Sequence, residues 1–162
     1  DVVPCFTYRL YFPSGNFREG TKIFRSDRGS IVNYPKQQLE KGRSKNNRTN
    51  YAYKKTARII KRTGNAMVHE SVFRELPSYF IECLVYNCPY SVFNRNSWTA
   101  IVNQTLFHIW DGLEGGQPSE NDDRWVEANE CFYLFHDGQD WTRADGRDFA
   151  KAAWNYLELG ND

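Results

Sequence analysis

The 162 residues are 40% hydrophobic and 16% aromatic. A globular chain of that length buries about 70% of its unfolded surface, which argues for one domain and excludes a disordered polymer. No apolar run approaches the ~20 residues of a membrane span, and no signal-peptide pattern is present, so a cytoplasmic protein with no membrane partner is expected. The net charge of +1 hides a division: residues 1–75 carry 16 Lys and Arg against 6 Asp and Glu, and residues 76–162 carry 5 against 14. That split suits either a polyanionic ligand on the basic half or two solvated faces that attract each other.

In chain order, residues 1–12, "DVVPCFTYRLYF", alternate loosely and are rich in Val, Phe and Tyr, which predicts a strand. The chain opens without methionine and inside that strand, as expected of a piece whose upstream part lies elsewhere. "FPSGNFREG" reads as a turn, and "TKIFRS" and "GSIVNYP" as short strands on either side of a turn at Asp27–Gly29. Residues 36–48, "KQQLEKGRSKNNR", read as a polar basic loop. A first helix is predicted from Thr49, as cap, to about Thr63, ended by Gly64. On it Tyr53, Ala57 and Ile60 form an apolar stripe, with Lys54, Arg58 and Lys61 beside it.

A second helix is expected over Ser78–Asn87, buried nearly all round, and a third from Ser97 to about Leu113 with one broad apolar face. "ECFYLF" is too short for periodicity to decide between strand and helix end. A last helix should start near Thr142, with Asp145 as capping-box partner and Phe149, Ala152, Ala153, Tyr156 and Leu157 turned inward. Cys5, Cys83, Cys88 and Cys131, with His69, His108 and His136, show no zinc spacing. Cys83 and Cys88 fall in an apolar helical stretch and read as reduced core residues.

Five candidates could carry chemistry. Ser78, just behind Pro77, is either a helix N-cap or a phosphate ligand at a helix N-terminus. Tyr79 either packs in the core or stacks a nucleobase. Lys61 is either a solvated lysine or a fixed charge for the same phosphates. Asp1, leading into an apolar run, is a candidate magnesium ligand or general base, although two-metal chemistry needs several carboxylates. The segment "KGRSKNNRT", with four cations in nine residues, either contacts phosphates and base edges or is a mobile basic loop.

Together "DVVPC", "IVNYPKQQLEKGRSKN", "YKKTARIIKR", "LPSYFIECLVYN" and "WVEANECFYLF…QDWTRADGRDFAKAAWNYLEL" resemble the later half of bacterial nucleotidyltransferases related to oligoadenylate synthase and cyclic GMP–AMP synthase. These enzymes make cyclic oligonucleotide signals in antiphage defence. The resemblance implies an α+β, mostly α chain: the remnant of a nucleotidyltransferase palm sheet over residues 1–48, then a C-terminal helical bundle over 49–162. It implies nucleoside triphosphate substrates, ATP among them, and Mg2+ in a two-ion site completed by residues upstream of this chain.

Residue by residue, Asp1 matches the third catalytic, metal-binding carboxylate. Lys61 and Ser78 match the pair that grips the triphosphate, and Tyr79 the aromatic that stacks on the base. Lys45 and Asn46 lie where nucleotide contact is implied less directly. The family's Gly-Ser motif and first two carboxylates are absent from these residues, so this chain alone is expected to be inactive. An RNA-end nucleotidyltransferase, with the basic half as RNA platform, and a non-catalytic helical module binding a nucleotide or a regulatory protein partner are the competing readings.

Overall fold

The structure, a computed structural model, describes residues 4–26 and 29–160, with the side chain at position 122 set aside. Asp1, and with it the predicted metal ligand, lies outside the described residues. Three strands come first: β1 (Phe6–Tyr11), β2 (Phe17–Phe24) and β3 (Ser30–Asn33). They form an antiparallel meander in the order β1-β2-β3, with Tyr8 opposite Gly20 and Thr21 opposite Asn33. The second strand therefore begins within the segment read as a turn. Gly20 is required by crowding, since a Cβ there would lie 2.6 Å from the Asn33 carbonyl oxygen and 2.9 Å from the Tyr34 ring.

Five helices follow: α1 (Pro35–Arg48), α2 (Ala52–His69), α3 (Ser78–Tyr86), α4 (Trp98–Gly112) and α5 (Arg143–Tyr156). Single turns of 3₁₀ helix at Tyr90–Phe93 and Asn121–Asp123 join them. This is the α+β, mostly α architecture expected from the sequence. The sheet touches the helices through Tyr34, which is 2% exposed and meets Phe132 at 5.4 Å and Tyr8 at 6.5 Å between ring centroids. Helix α1 adds Lys36, which donates to Glu19 Oε1 on β2 at 2.8 Å, and Gln37, which donates to the Glu19 carbonyl at 2.9 Å, while Phe6, Tyr11, Phe17 and Phe24 are exposed.

The basic segment 36–48 is a helix, not a loop. Proline sits in its first turn, where its missing N–H costs nothing, and its Lys, Gln, Leu, Glu and Arg residues are good helix formers. Only Gly42 and Lys45 are buried on it, so the apolar periodicity that signals a helix is missing. Helix α2 begins later and runs longer than expected. Gly64 is not a stop signal but a crossing point, where a Cβ would come within 3.2 Å of the Phe149 ring and 3.3 Å of Ile81 Cδ1.

The α2 N-terminus is capped from the preceding turn. The Thr49 hydroxyl accepts from the Tyr53 N–H at 3.1 Å, and Asn46 Oδ1 accepts from the Lys54 N–H at 3.1 Å. Two of the orphan donors of that helix end are thus satisfied. Helices α3, α4 and α5 fall where their periodicity predicts. Ser97 caps α4 by accepting from the Ala100 N–H, and Thr142 and Asp145 form a reciprocal capping box on α5. Ile60, Met67, Phe80, Leu84, Leu106, Ile109, Phe149 and Ala153 fill the centre of the bundle. Cys83 and Cys88 are free and buried in it. "ECFYLF" is neither strand nor helix; Tyr133 makes one isolated antiparallel bridge to Val126.

Candidate functional site

Helix α2 turns a row of cations outward, and the start of α3 lies against it. Lys55, Arg58, Lys61 and Arg62, spaced at three or four residues, share one side of the helix. With Ile59, Asn65, Ser78 and Trp98 they line a groove of about 790 Å³. Among the described residues, no carboxylate lines it. Lys61 is held at its edge by Glu82, with Nζ to Oε2 at 2.6 Å and both side chains about a quarter exposed. Lys55 lies over the Trp98 ring at 5.5 Å. Among the described residues, Arg58 and Arg62 make no ion pair. The groove offers concentrated positive charge, a free hydroxyl and one exposed indole face, which suits a phosphate chain.

Ser78 and Lys61 are thereby brought together, 17 positions apart in sequence. The helix cap, however, is not Ser78. Pro77 occupies the cap position without a side-chain bond, and Ser78 is the first residue of α3. Ser78 is exposed, and among the described residues its hydroxyl has no partner.

Tyr79 is not among the residues that line this groove, and its hydroxyl is engaged from the interior. It donates to Glu127 Oε2 at 3.1 Å and accepts from Asn129 Nδ2 at 3.0 Å. Burial first, then the nearby Cys83 and Glu127, push its phenol well above the ordinary tyrosine range.

Lys45 and Asn46 do not reach the groove. Lys45 is 7% exposed; its ammonium donates to the Cys88 carbonyl at 2.7 Å. It stands 4.9–5.9 Å from the rings of Tyr53, Tyr86, Tyr90 and Phe93. Burial lowers its pKa below the usual lysine value. Four aromatic faces and one carbonyl occupy this cation, so it serves packing. Asn46 is spent on the α2 N-terminus.

Sequence reasoning missed Lys55, Arg62 and Trp98 as groove residues, although the helical spacing of the cations was the available signal. It also missed Glu127, 5% exposed, for which the sequence carries no local signal. Among the described residues, no group of three or more His, Cys, Asp or Glu side chains could hold a metal ion.

The family model of the cGAS/DncV-like nucleotidyltransferase C-terminal helical domain matches residues 40–158. The chain belongs to this family. A cyclic dipyrimidine nucleotide synthase CdnE of Cecembia lonarensis is 35% identical over 163 residues, which is 98% of this chain and 54% of that protein. A cyclic dipurine nucleotide synthase of Elizabethkingia meningoseptica is 30% identical, covering 97% of this chain and 53% of that one.

Among solved structures, the E. meningoseptica CdnE cyclic dinucleotide synthase with GTP and Apcpp superposes at a TM-score of 0.86 and 30% identity, over 97% of this chain and 57% of that one. The Rhodothermus marinus CdnE c-UMP-AMP synthase with Apcpp and Upnpp does so at 0.84 and 27% identity, over 100% of this chain and 55% of that one. This helical-domain chain thus spans about half the length of the curated relatives it matches.

Proposed function

We propose that this chain is the C-terminal part of a nucleotidyltransferase that joins nucleoside triphosphates into a cyclic or linear oligonucleotide signal of the antiphage type. The observation that carries this reading is the carboxylate-free groove in which Lys61 and Ser78 meet. Lys61, steadied by Glu82, supplies charge to the triphosphate, Ser78 donates a hydrogen bond to it, and Arg58 and Arg62 add to the positive field. Tyr79 offers its ring to the base. The relatives named as binding GTP, ATP analogues or a UTP analogue support triphosphate substrates. Their products include dipyrimidine and dipurine forms, so base preference is not carried over.

Asp1 is the metal ligand of this proposal, completed by carboxylates from outside these residues, and Mg2+ would neutralise charge on the transferring phosphates. The bare rings of Phe6, Tyr11, Phe17 and Phe24 support a sheet that the intact protein covers.

Alone, the 162-residue chain lacks a complete carboxylate set and should be inactive. The test incubates the intact gene product, and this chain beside it, with labelled ATP, GTP, CTP and UTP plus magnesium, then treats the products with phosphatase. Phosphatase-resistant product from the intact protein only is the expected result. Turnover by the chain alone would overturn the division of labour.

A further inference from the structure

A buried carboxylate lies directly behind Tyr79. Glu127 Oε2 accepts from the Tyr79 hydroxyl at 3.1 Å and from Asn129 Nδ2 at 2.8 Å, and its Oε1 accepts from Gln139 Nε2 at 2.6 Å. Asn129 Nδ2 also donates to the Tyr79 oxygen, which closes a three-membered ring of side chains. Among the described residues, the one Lys, Arg or His group within 4.0 Å of the carboxylate is the His136 ring, whose Nε2 lies 4.0 Å from Oε1. Neutral donors thus hold an acid that is 5% exposed, an arrangement costly to build for packing alone.

The segment carrying Glu127 is itself fixed to α3. The Asn87 side chain, at the end of that helix, donates to the Val126 carbonyl at 2.7 Å and accepts from the Val126 N–H at 2.9 Å. The Ala128 N–H donates to Cys83 Sγ at 3.3 Å. Residues 126–129 are therefore tied to the last turn of α3 by Asn87, to its middle by Cys83 and to its first turn by Tyr79. Tyr79 sits next to Ser78 at the start of that helix, half-buried against the core, and no aromatic ring among the described residues stacks on it.

We propose that Glu127, with Asn129, is a positioning residue for the nucleotide: it anchors the Tyr79 hydroxyl so that the ring stands as a fixed platform for the base beside the Ser78 phosphate contact. The inference rests on the reading of Tyr79 as the stacking residue. An anchor at the hydroxyl restrains the ring without itself covering either face, so the cost of ordering the platform is met before the nucleotide arrives. Glu127→Gln is nearly isosteric but turns an amide N–H₂ toward either Gln139 or the Tyr79–Asn129 pair, so at least one bond is lost. Tyr79→Phe keeps the ring and removes the anchor point.

The test measures equilibrium binding of non-hydrolysable ATP, GTP, CTP and UTP analogues, and of inorganic tripolyphosphate, to the intact gene product. Tyr79→Leu should weaken binding of the preferred nucleotide about tenfold or more, the loss expected of a stacked base. Tyr79→Phe and Glu127→Gln should each weaken it by about three- to tenfold, on the order of one ordinary hydrogen bond. None of the three should change tripolyphosphate binding by more than about twofold, whereas Lys61→Ala should weaken both ligands. If Tyr79→Leu weakens the nucleotide while Tyr79→Phe and Glu127→Gln do not, the anchoring role is wrong and stacking stands. If Tyr79→Leu leaves nucleotide binding unchanged, the stacking reading fails and the inference with it. Equal loss of nucleotide and tripolyphosphate in the Glu127 variant would reduce Glu127 to a folding role. Tyr79→Phe, after which Glu127 keeps its bonds from Asn129 and Gln139, decides the matter if Glu127→Gln does not fold.

Discussion

Ser78→Ala separates a structural hydroxyl from a functional one. A serine that caps a helix loses about 1 kcal/mol when replaced by alanine. In a protein of this size or larger that lowers the melting midpoint by about 2–4 °C or somewhat less. In this structure the cap position belongs to Pro77, and the Ser78 hydroxyl bonds to no described residue. Replacing it should therefore cost within about 0.5 kcal/mol, as for other exposed positions, and leave the midpoint within about 1–2 °C of its starting value. A hydrogen bond to a charged phosphate is worth about 1.5–3 kcal/mol, so triphosphate affinity should fall roughly ten- to a hundredfold. The assay is thermal unfolding of the intact gene product at fixed pH, alongside titration with a non-hydrolysable triphosphate. A midpoint lowered by about 3 °C with unchanged affinity would show that the hydroxyl serves the fold and would refute the phosphate role.

Other substitutions probe the groove and its surroundings. Lys61→Met removes a partly exposed ion pair with Glu82 and should cost less than about 1 kcal/mol of stability. It should also weaken triphosphate binding and flatten its salt dependence, read by titrations at several salt concentrations. Lys45→Ala should destabilise by about 2–4 kcal/mol in denaturant unfolding, because it empties the space between four rings and strands the Cys88 carbonyl. Lys45→Met, which keeps the stem, should leave nucleotide affinity unchanged.

Thr142→Ala breaks the α5 capping box and should cost about 1 kcal/mol, read as a lowered melting midpoint. Burial raises the Asp145 carboxyl, but hydrogen bonds from Thr142 and the Arg74 guanidinium outweigh it, so its folded pKa lies below the unfolded value. Its contribution is therefore complete above the ordinary aspartate range near about pH 4 and is lost as pH falls through the depressed value. An Asp145→Asn variant should show a shallower acid loss of stability below about pH 4 than the parent in pH-dependent unfolding.

What the sequence determined by itself was local. Helices α3, α4 and α5 were legible because each carries a continuous apolar face with 3.6-residue periodicity, and their start signals are written nearby: Ser97 for α4, and Thr142 with Asp145 for α5. Strands β1 and β3 were legible from their Phe, Tyr, Ile and Val content. The cations of α2 were visible as a helical row, and the resemblance of several segments marked Lys61 and Ser78 as a pair.

The tertiary structure decided whatever depends on a partner distant in sequence. Helix α1 has almost no apolar face to announce it, and Lys45 is buried on it because the Cys88 carbonyl and the rings of Tyr53, Tyr86, Tyr90 and Phe93 close round its ammonium. Gly64 has the same identity in a helix stop as in a helix crossing, and only Phe149 and Ile81 approaching α2 distinguish the two. Ser78 looked like a cap because a serine behind a proline commonly is one, yet the path of the chain put Pro77 in that position. The Glu127–Tyr79 bond joins residues 48 positions apart. Hydrogen bonding at such separation leaves no periodic trace, because its spacing is set by how the chain folds back and not by the pitch of any helix or strand.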